Sequence, residues 1–132
     1  MRQRHLTLWL CFLFSIVLFC GTATPALADT SGPYVDSFYP TDGQVLPSGP
    51  MAIQVRVLDA DTIDGSSVNL SVNGQKVPAI LSYDVLSIDP VTETEVLDYT
   101  HAMVSYRMVV TDATYNVGLS IKDQLGNLTT KQ

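Results

Sequence analysis

From Asp29 onward, apolar side chains recur at every second position, in runs separated by turn residues. Ile53, Val55 and Val57 alternate with Gln54 and Arg56, and Val68, Leu70 and Val72 alternate with Asn69, Ser71 and Asn73. Tyr115, Val117, Leu119 and Ile121 alternate with Asn116, Gly118, Ser120 and Lys122. Successive side chains of a strand point to opposite faces, so each run places one face on a core and the other in water. No stretch after Asp29 carries the i, i+3, i+4, i+7 stripe of an amphipathic helix. The spacing predicts an all-β chain with seven strands near residues 34–39, 51–58, 67–73, 76–84, 101–111, 114–123 and 127–131.

The punctuation fits this division. Pro40-Thr41-Asp42-Gly43 and Pro47-Ser48-Gly49-Pro50 break the chain early, and Gly126-Asn127 turns it near the end. Asn73-Gly74 between two apolar runs predicts a two-residue hairpin turn, because both residues tolerate positive φ. Residues 85–100 are either a long loop or an extension of the fourth and fifth strands into a tall hairpin turning at Asp89-Pro90. The hairpin is expected, since Val85, Leu86, Ile88, Val96, Leu97 and Tyr99 are too apolar for a solvated loop.

The first 28 residues read differently. Arg2, Arg4 and His5 precede an almost wholly apolar run from Leu6 to Phe19, and Ala26-Leu27-Ala28 offers a small-x-small cleavage site. That order is a secretory signal peptide, and the apolar run is shorter than the roughly 20 residues a spanning helix needs. The expected organisation is an export signal over 1–28 and one domain over 29–132, exported to the periplasm, the cell surface or the medium. No membrane span is expected after cleavage. Cys11 and Cys20 both fall in the signal, so the mature domain is expected to hold no disulfide and no cysteine metal site. Asn69-Leu70-Ser71 and Asn127-Leu128-Thr129 match the N-glycosylation acceptor, relevant only where a producing cell has that machinery.

All 13 acidic residues lie after position 28, against five of the seven basic ones, which leaves the mature domain near −8. Such a balance argues against a nucleic-acid partner, which requires a basic face to neutralise phosphates, and against docking on anionic lipid.

Pro40-Thr41-Asp42-Gly43, the run from Ile53 to Asp59 after Pro50, Val72-Asn73-Gly74, and the run from Tyr115 to Asn127 together resemble the bacterial Ig-like domains. The resemblance spans about residues 36–130. It implies an Ig-like or fibronectin III-like antiparallel β-sandwich, with Tyr115 packed at a corner of the sandwich and Asp123, Gly126 and Asn127 forming the last turn. Members of that family are modules of surface proteins, which implies a role in adhesion, assembly or spacing.

Catalytic motifs are scarce. His101 is the only mature histidine and has no partner motif around it. Glu93 and Glu95 are two apart, as paired carboxylates of a glycosidase can be, but a solvated acidic turn explains them better. Tyr106 shares parity with Val104 and Met108, and Tyr115 with Val117, so both are expected in the core; Tyr34, Tyr39, Tyr83 and Tyr99 remain as surface candidates. The run Asp59-Ala60-Asp61-Thr62-Ile63-Asp64-Gly65 is not an EF-hand, because Ile63, Asp64 and Leu70 occupy positions that need other residues.

In a seven-stranded sandwich the loops after the second, fourth and sixth strands share one end. Most of the acids then gather at one pole, and Asp59, Asp61, Asp64 and Asp123 become candidate ligands of a calcium ion. The competing explanation is that aspartates cap backbone groups in turns. The expected function is a non-enzymatic, monomeric module for adhesion, assembly or spacing, with a protein or glycan partner. A carbohydrate-binding module or an accessory domain of a secreted enzyme system is the alternative, with the exposed tyrosines facing a glycan.

Overall fold

A computed structural model describes residues 29–132; the expected export signal lies outside the described residues. The described residues form eight strands and no helix: β1 (Tyr34–Tyr39), β2 (Gly49–Leu58), β3 (Ile63–Val72), β4 (Gln75–Lys76), β5 (Ile80–Ile88), β6 (Glu95–Val110), β7 (Val117–Asp123) and β8 (Leu128–Lys131). All neighbouring pairs are antiparallel, in two four-stranded sheets of order β1-β2-β6-β5 and β4-β3-β7-β8. Among the described residues no helix is long and apolar enough to cross a membrane.

The period-two runs meet where parity places them. Ile53, Val55, Val57, Ala102 and Val104 of the first sheet and Ile63, Leu70, Leu119 and Ile121 of the second form one buried cluster. Each valine, leucine or isoleucine of the cluster contributes about 1.5–3 kcal/mol by leaving water, and the Ala102 methyl less. Val72 and Val117, expected fully inside, lie at the margin and pack against this cluster, as does Tyr106.

Strand boundaries differ from expectation for identifiable reasons. Asn73 and Gly74 both have positive φ, 52° and 78°, and join Val72 to its partner Gln75 in the predicted hairpin. The returning strand is only two residues long. Pro78 has no N–H to give a ladder, and over residues 77–79 the chain leaves the second sheet for the first, so one expected strand becomes β4 and β5. β3 begins at Ile63, earlier than expected, because a bulge between Asp64 and Asn69 lets the strand continue through Gly65-Ser66-Ser67. Ser67 repairs that bulge: its hydroxyl donates to the Asp64 carbonyl at 2.7 Å and accepts the Lys122 N–H at 2.8 Å.

Residues 85–100 form the tall hairpin rather than a loop. β2 last pairs with β6 at Leu58 and His101, whereas β5 and β6 stay paired out to Ile88 and Glu95. The outer parts of β5 and β6 therefore project past the sheet as a two-stranded arm, roughly 20 Å long at the usual rise per strand residue. At its tip the Asp89 carboxylate accepts the N–H groups of Val91 and Thr92, which closes the turn.

Candidate functional site

The site lies where β2 and β7 end. Asp59 follows β2; its N–H donates to the Thr100 carbonyl at 2.9 Å, and its Oδ1 accepts the Asp61 N–H at 2.8 Å. The Gln124 N–H donates to Thr62 O at 2.9 Å, which ties the β2–β3 loop to the β7–β8 turn. In that turn Asn127 donates its backbone N–H to Asp123 Oδ1 and its side-chain amide to Asp123 Oδ2, at 2.8 and 2.7 Å. The same amide reaches the Asp29 carbonyl at 3.0 Å and pins the first described residue to the β7–β8 turn.

Pinning Asp29 there brings three half-buried carboxylates together. Asp29, Asp59 and Asp61 each offer an oxygen within 4.8 Å of the other two. Two oxygens on one calcium ion, each about 2.4 Å from it, stand at most about 4.8 Å apart, so the three fit around a single hard cation. Asp59 Oδ2 is buried and meets no hydrogen-bond donor among the described residues. Burial raises the Asp59 pKa above 3.8, and the negative charges of Asp123, Asp29 and Asp61 push it the same way against the lowering effect of the Asp61 N–H. A carboxylate in that position gains from either a proton or a cation.

Of the four expected calcium ligands, Asp59 and Asp61 belong to this group, and Asp29 completes it. Asp123 is buried at 1 % exposure beside Asp59, with both oxygens taken by Asn127. Burial pushes its pKa up, but hydrogen bonds from Asn127 and from the backbone of Gly126 and Leu125 outweigh it and hold the carboxyl below 3.8. Asp64 stands apart on β3. Its Oδ1 accepts the Ser66 hydroxyl and N–H, which hold its pKa below 3.8, and it pairs across the sheet with Lys122. Asp64 thus does the backbone capping expected of turn aspartates. Nothing in the local spacing announces Asp29, which lies 30 positions upstream of Asp59; only the Asn127 amide brings it in.

The other candidates are placed as follows. His101 Nδ1 lies 2.7 Å from Asp98 Oδ2 and 2.9 Å from Thr100 Oγ1, and its side chain is partly exposed. The Asp98 pKa is lowered, first by the Thr100 hydroxyl and N–H and then by His101. Glu93 and Glu95 are exposed at the arm's tip and first paired residue. Tyr34, Tyr39 and Tyr99 are exposed as expected. Tyr83 is not a surface residue. It packs on the core, and its hydroxyl crosses between the sheets to donate to Ile63 O at 3.2 Å, over Gly65, whose missing side chain leaves the room. Tyr99 sets its ring edge against Tyr83, with centroids 4.8 Å apart. Tyr115 closes the β6–β7 corner, its hydroxyl accepting the Thr111 N–H at 3.1 Å.

No protein family, no curated protein and no solved structure matches this chain.

Proposed function

We propose that the chain is an exported Ig-like module without enzymatic activity, serving adhesion, assembly or spacing at the cell surface or in the periplasm. Strand order carries this reading. The sheets of an Ig-type sandwich run A-B-E-D and C-F-G. Here β1-β2-β6-β5 and β3-β7-β8 follow the same orders, with β4 a two-residue addition beside β3. Tyr115 supports it independently. Ig sandwiches carry a tyrosine near the start of strand F whose hydroxyl bonds to backbone a few residues upstream, and Tyr115 takes the Thr111 N–H in that manner.

Fold does not assign activity by itself, so the role within this class rests on the surface. The Asp29, Asp59 and Asp61 carboxylates would take calcium and lock the chain's entrance to its last turn, a stabilising device suited to the outside of a cell. The alternative, a carbohydrate-binding module, is favoured by the exposed rings of Tyr34, Tyr39 and Tyr99. A glycan array separates the two. A protein-contact module gives no specific glycan signal, whereas specific binding lost in Tyr34→Ala or Tyr99→Ala overturns that reading in favour of the glycan one.

A further inference from the structure

We infer that the β5–β6 arm is a docking element for a protein surface with an apolar centre and a lysine- or arginine-rich rim. The inference rests on the reading of the chain as a protein-contact module and names the kind of partner.

Three observations carry it. Among the described residues the arm has no cover: β2 stops at the Leu58–His101 pair, and β5 is the outer strand of its sheet, so the outer ribbon has no described strand on either side. Two-stranded ribbons are marginal in water unless something packs on them. The arm is also apolar where nothing touches it. Six of the thirteen exposed large hydrophobic residues fall between positions 85 and 99, with Leu86 at 65 %, Ile88 at 64 % and Val91 at 87 % exposure. Scattered single residues of this kind are ordinary, but a concentration on one projection marks an interaction surface.

The third observation is charge, and it selects the occupant. Asp84, Asp89, Glu93, Glu95 and Asp98 lie on the arm, and no lysine or arginine occurs between Lys76 and Arg107. Arg56 reaches over from β2 to hold Asp84 through both guanidinium nitrogens, and His101 faces Asp98; among the described residues the other three carboxylates have no cationic partner. A second copy would set this acidic arm against its like, and an anionic bilayer would repel it. A basic-rimmed apolar surface complements it in both respects. Pairing through the backbone of β5 is disfavoured by its register shifts at Tyr83/Asp84 and Val85/Ser87, since bulges blunt an edge, so side chains make the contact. Asp89 caps the tip, which presents those side chains in a preorganised turn.

The test uses the purified exported protein, 15N-labelled, titrated with a heptapeptide of three valines between pairs of lysines. Two controls replace the lysines by glutamates or the valines by serines. The expected result is amide shifts confined to the arm and affinity at least tenfold above both controls. Leu86→Ser with Ile88→Ser should lower that affinity at least tenfold. So should Glu93→Lys with Glu95→Lys, which leaves the apolar residues in place, and neither pair should lower the melting temperature, because these residues lie outside the core. Equal affinity for the controls, shifts outside the arm, or binding undiminished in both variants overturns the inference. So does reversible dimerisation in sedimentation velocity, or binding to phosphatidylcholine vesicles, if the arm variants abolish it, because the occupant is then a second copy or a lipid surface. Each of these outcomes leaves the module reading standing, whereas tyrosine-dependent glycan binding removes that reading and leaves the arm result readable.

Discussion

The Asp123 carboxylate takes both donors of Asn127, the backbone N–H at 2.8 Å and the side-chain amide at 2.7 Å, and that amide also holds the Asp29 carbonyl. One asparagine thus closes the β7–β8 turn, satisfies a buried carboxylate and fastens Asp29 beside it. Asn127→Ala should lower the urea midpoint and also weaken any calcium response, since it frees Asp29. A variant that is destabilised but keeps its full calcium response would mean that Asp29 needs no such tether.

Calcium itself should stabilise the fold by mass action. For a site of extracellular strength, with a dissociation constant of about 10⁻⁴–10⁻³ M, roughly 10 mM calcium contributes about 1.4–2.7 kcal/mol. Thermal unfolding with calcium and then with a chelator measures this. Asp61→Asn should reduce the response, whereas Asp64→Asn should leave it intact, because Asp64 is occupied by Ser66 on β3.

The two buried-end carboxyls make opposite pH predictions. The folded pKa of Asp123 is depressed below 3.8, so its contribution is present above that value and is lost as pH falls through the folded pKa. The folded pKa of Asp59 is raised above 3.8, so its contribution is present below that value and is lost as pH rises through the folded pKa. In calcium-free buffer the lowered carboxyls of Asp64, Asp89, Asp98 and Asp123 should make the urea midpoint drop on acidification, and Asp59 should oppose that drop, so wild type should lose less on the way to pH 3.8 than Asp59→Asn does. A wild-type midpoint that falls as steeply on acidification as that of Asp59→Asn would contradict the raised pKa of Asp59.

Burial and parity are tested by a contrast. Leu119, at 1 % exposure, should cost roughly 2–4 kcal/mol on truncation to Ala through lost burial and a cavity. Leu86, at 65 % exposure on the arm, should change stability by no more than about 0.5 kcal/mol. Equal costs in denaturant titration would mean that the arm is folded back onto a core.

Gly65 and Tyr83 should be coupled. A Cβ at position 65 would meet the Tyr83 hydroxyl and Leu81 Cδ2, each at 2.7 Å, so Gly65→Ala should cost about 1–3 kcal/mol by overpacking. Tyr83→Phe loses the bond to Ile63 O, at about 1 kcal/mol, and removes one of the two clashing atoms. The double variant should therefore be less destabilised than the sum of the singles, as a double-mutant cycle would read.

Much of this architecture is legible in the residues themselves. Alternation located the core of β2, β3 and β7, and Asn73-Gly74 located a hairpin because few other residue pairs take positive φ twice. The tall hairpin was legible too, but for an incomplete reason: Leu86 and Ile88 are apolar and extended, yet they face solvent. Period two reports which side chains share a face, not whether anything covers that face. Asp59 to Gly65 reads as one acidic turn, and the chain instead enters β3 at Ile63, with Asp64 serving a bulge. Asp29 is not visible in the sequence, because a contact such as Asp29 with Asn127, 98 positions apart, leaves no periodic trace.

The most direct test of the proposed sandwich is the set of interstrand proton contacts seen by nuclear magnetic resonance. An Ig strand order requires backbone contacts of Val57 with Ala102, Val85 with Leu97, Leu70 with Leu119 and Ile121 with Thr129, and none between the backbones of β2 and β3. A ladder joining β2 directly to β3, as in a simple meander, would contradict the two-sheet order and the functional reading built on it.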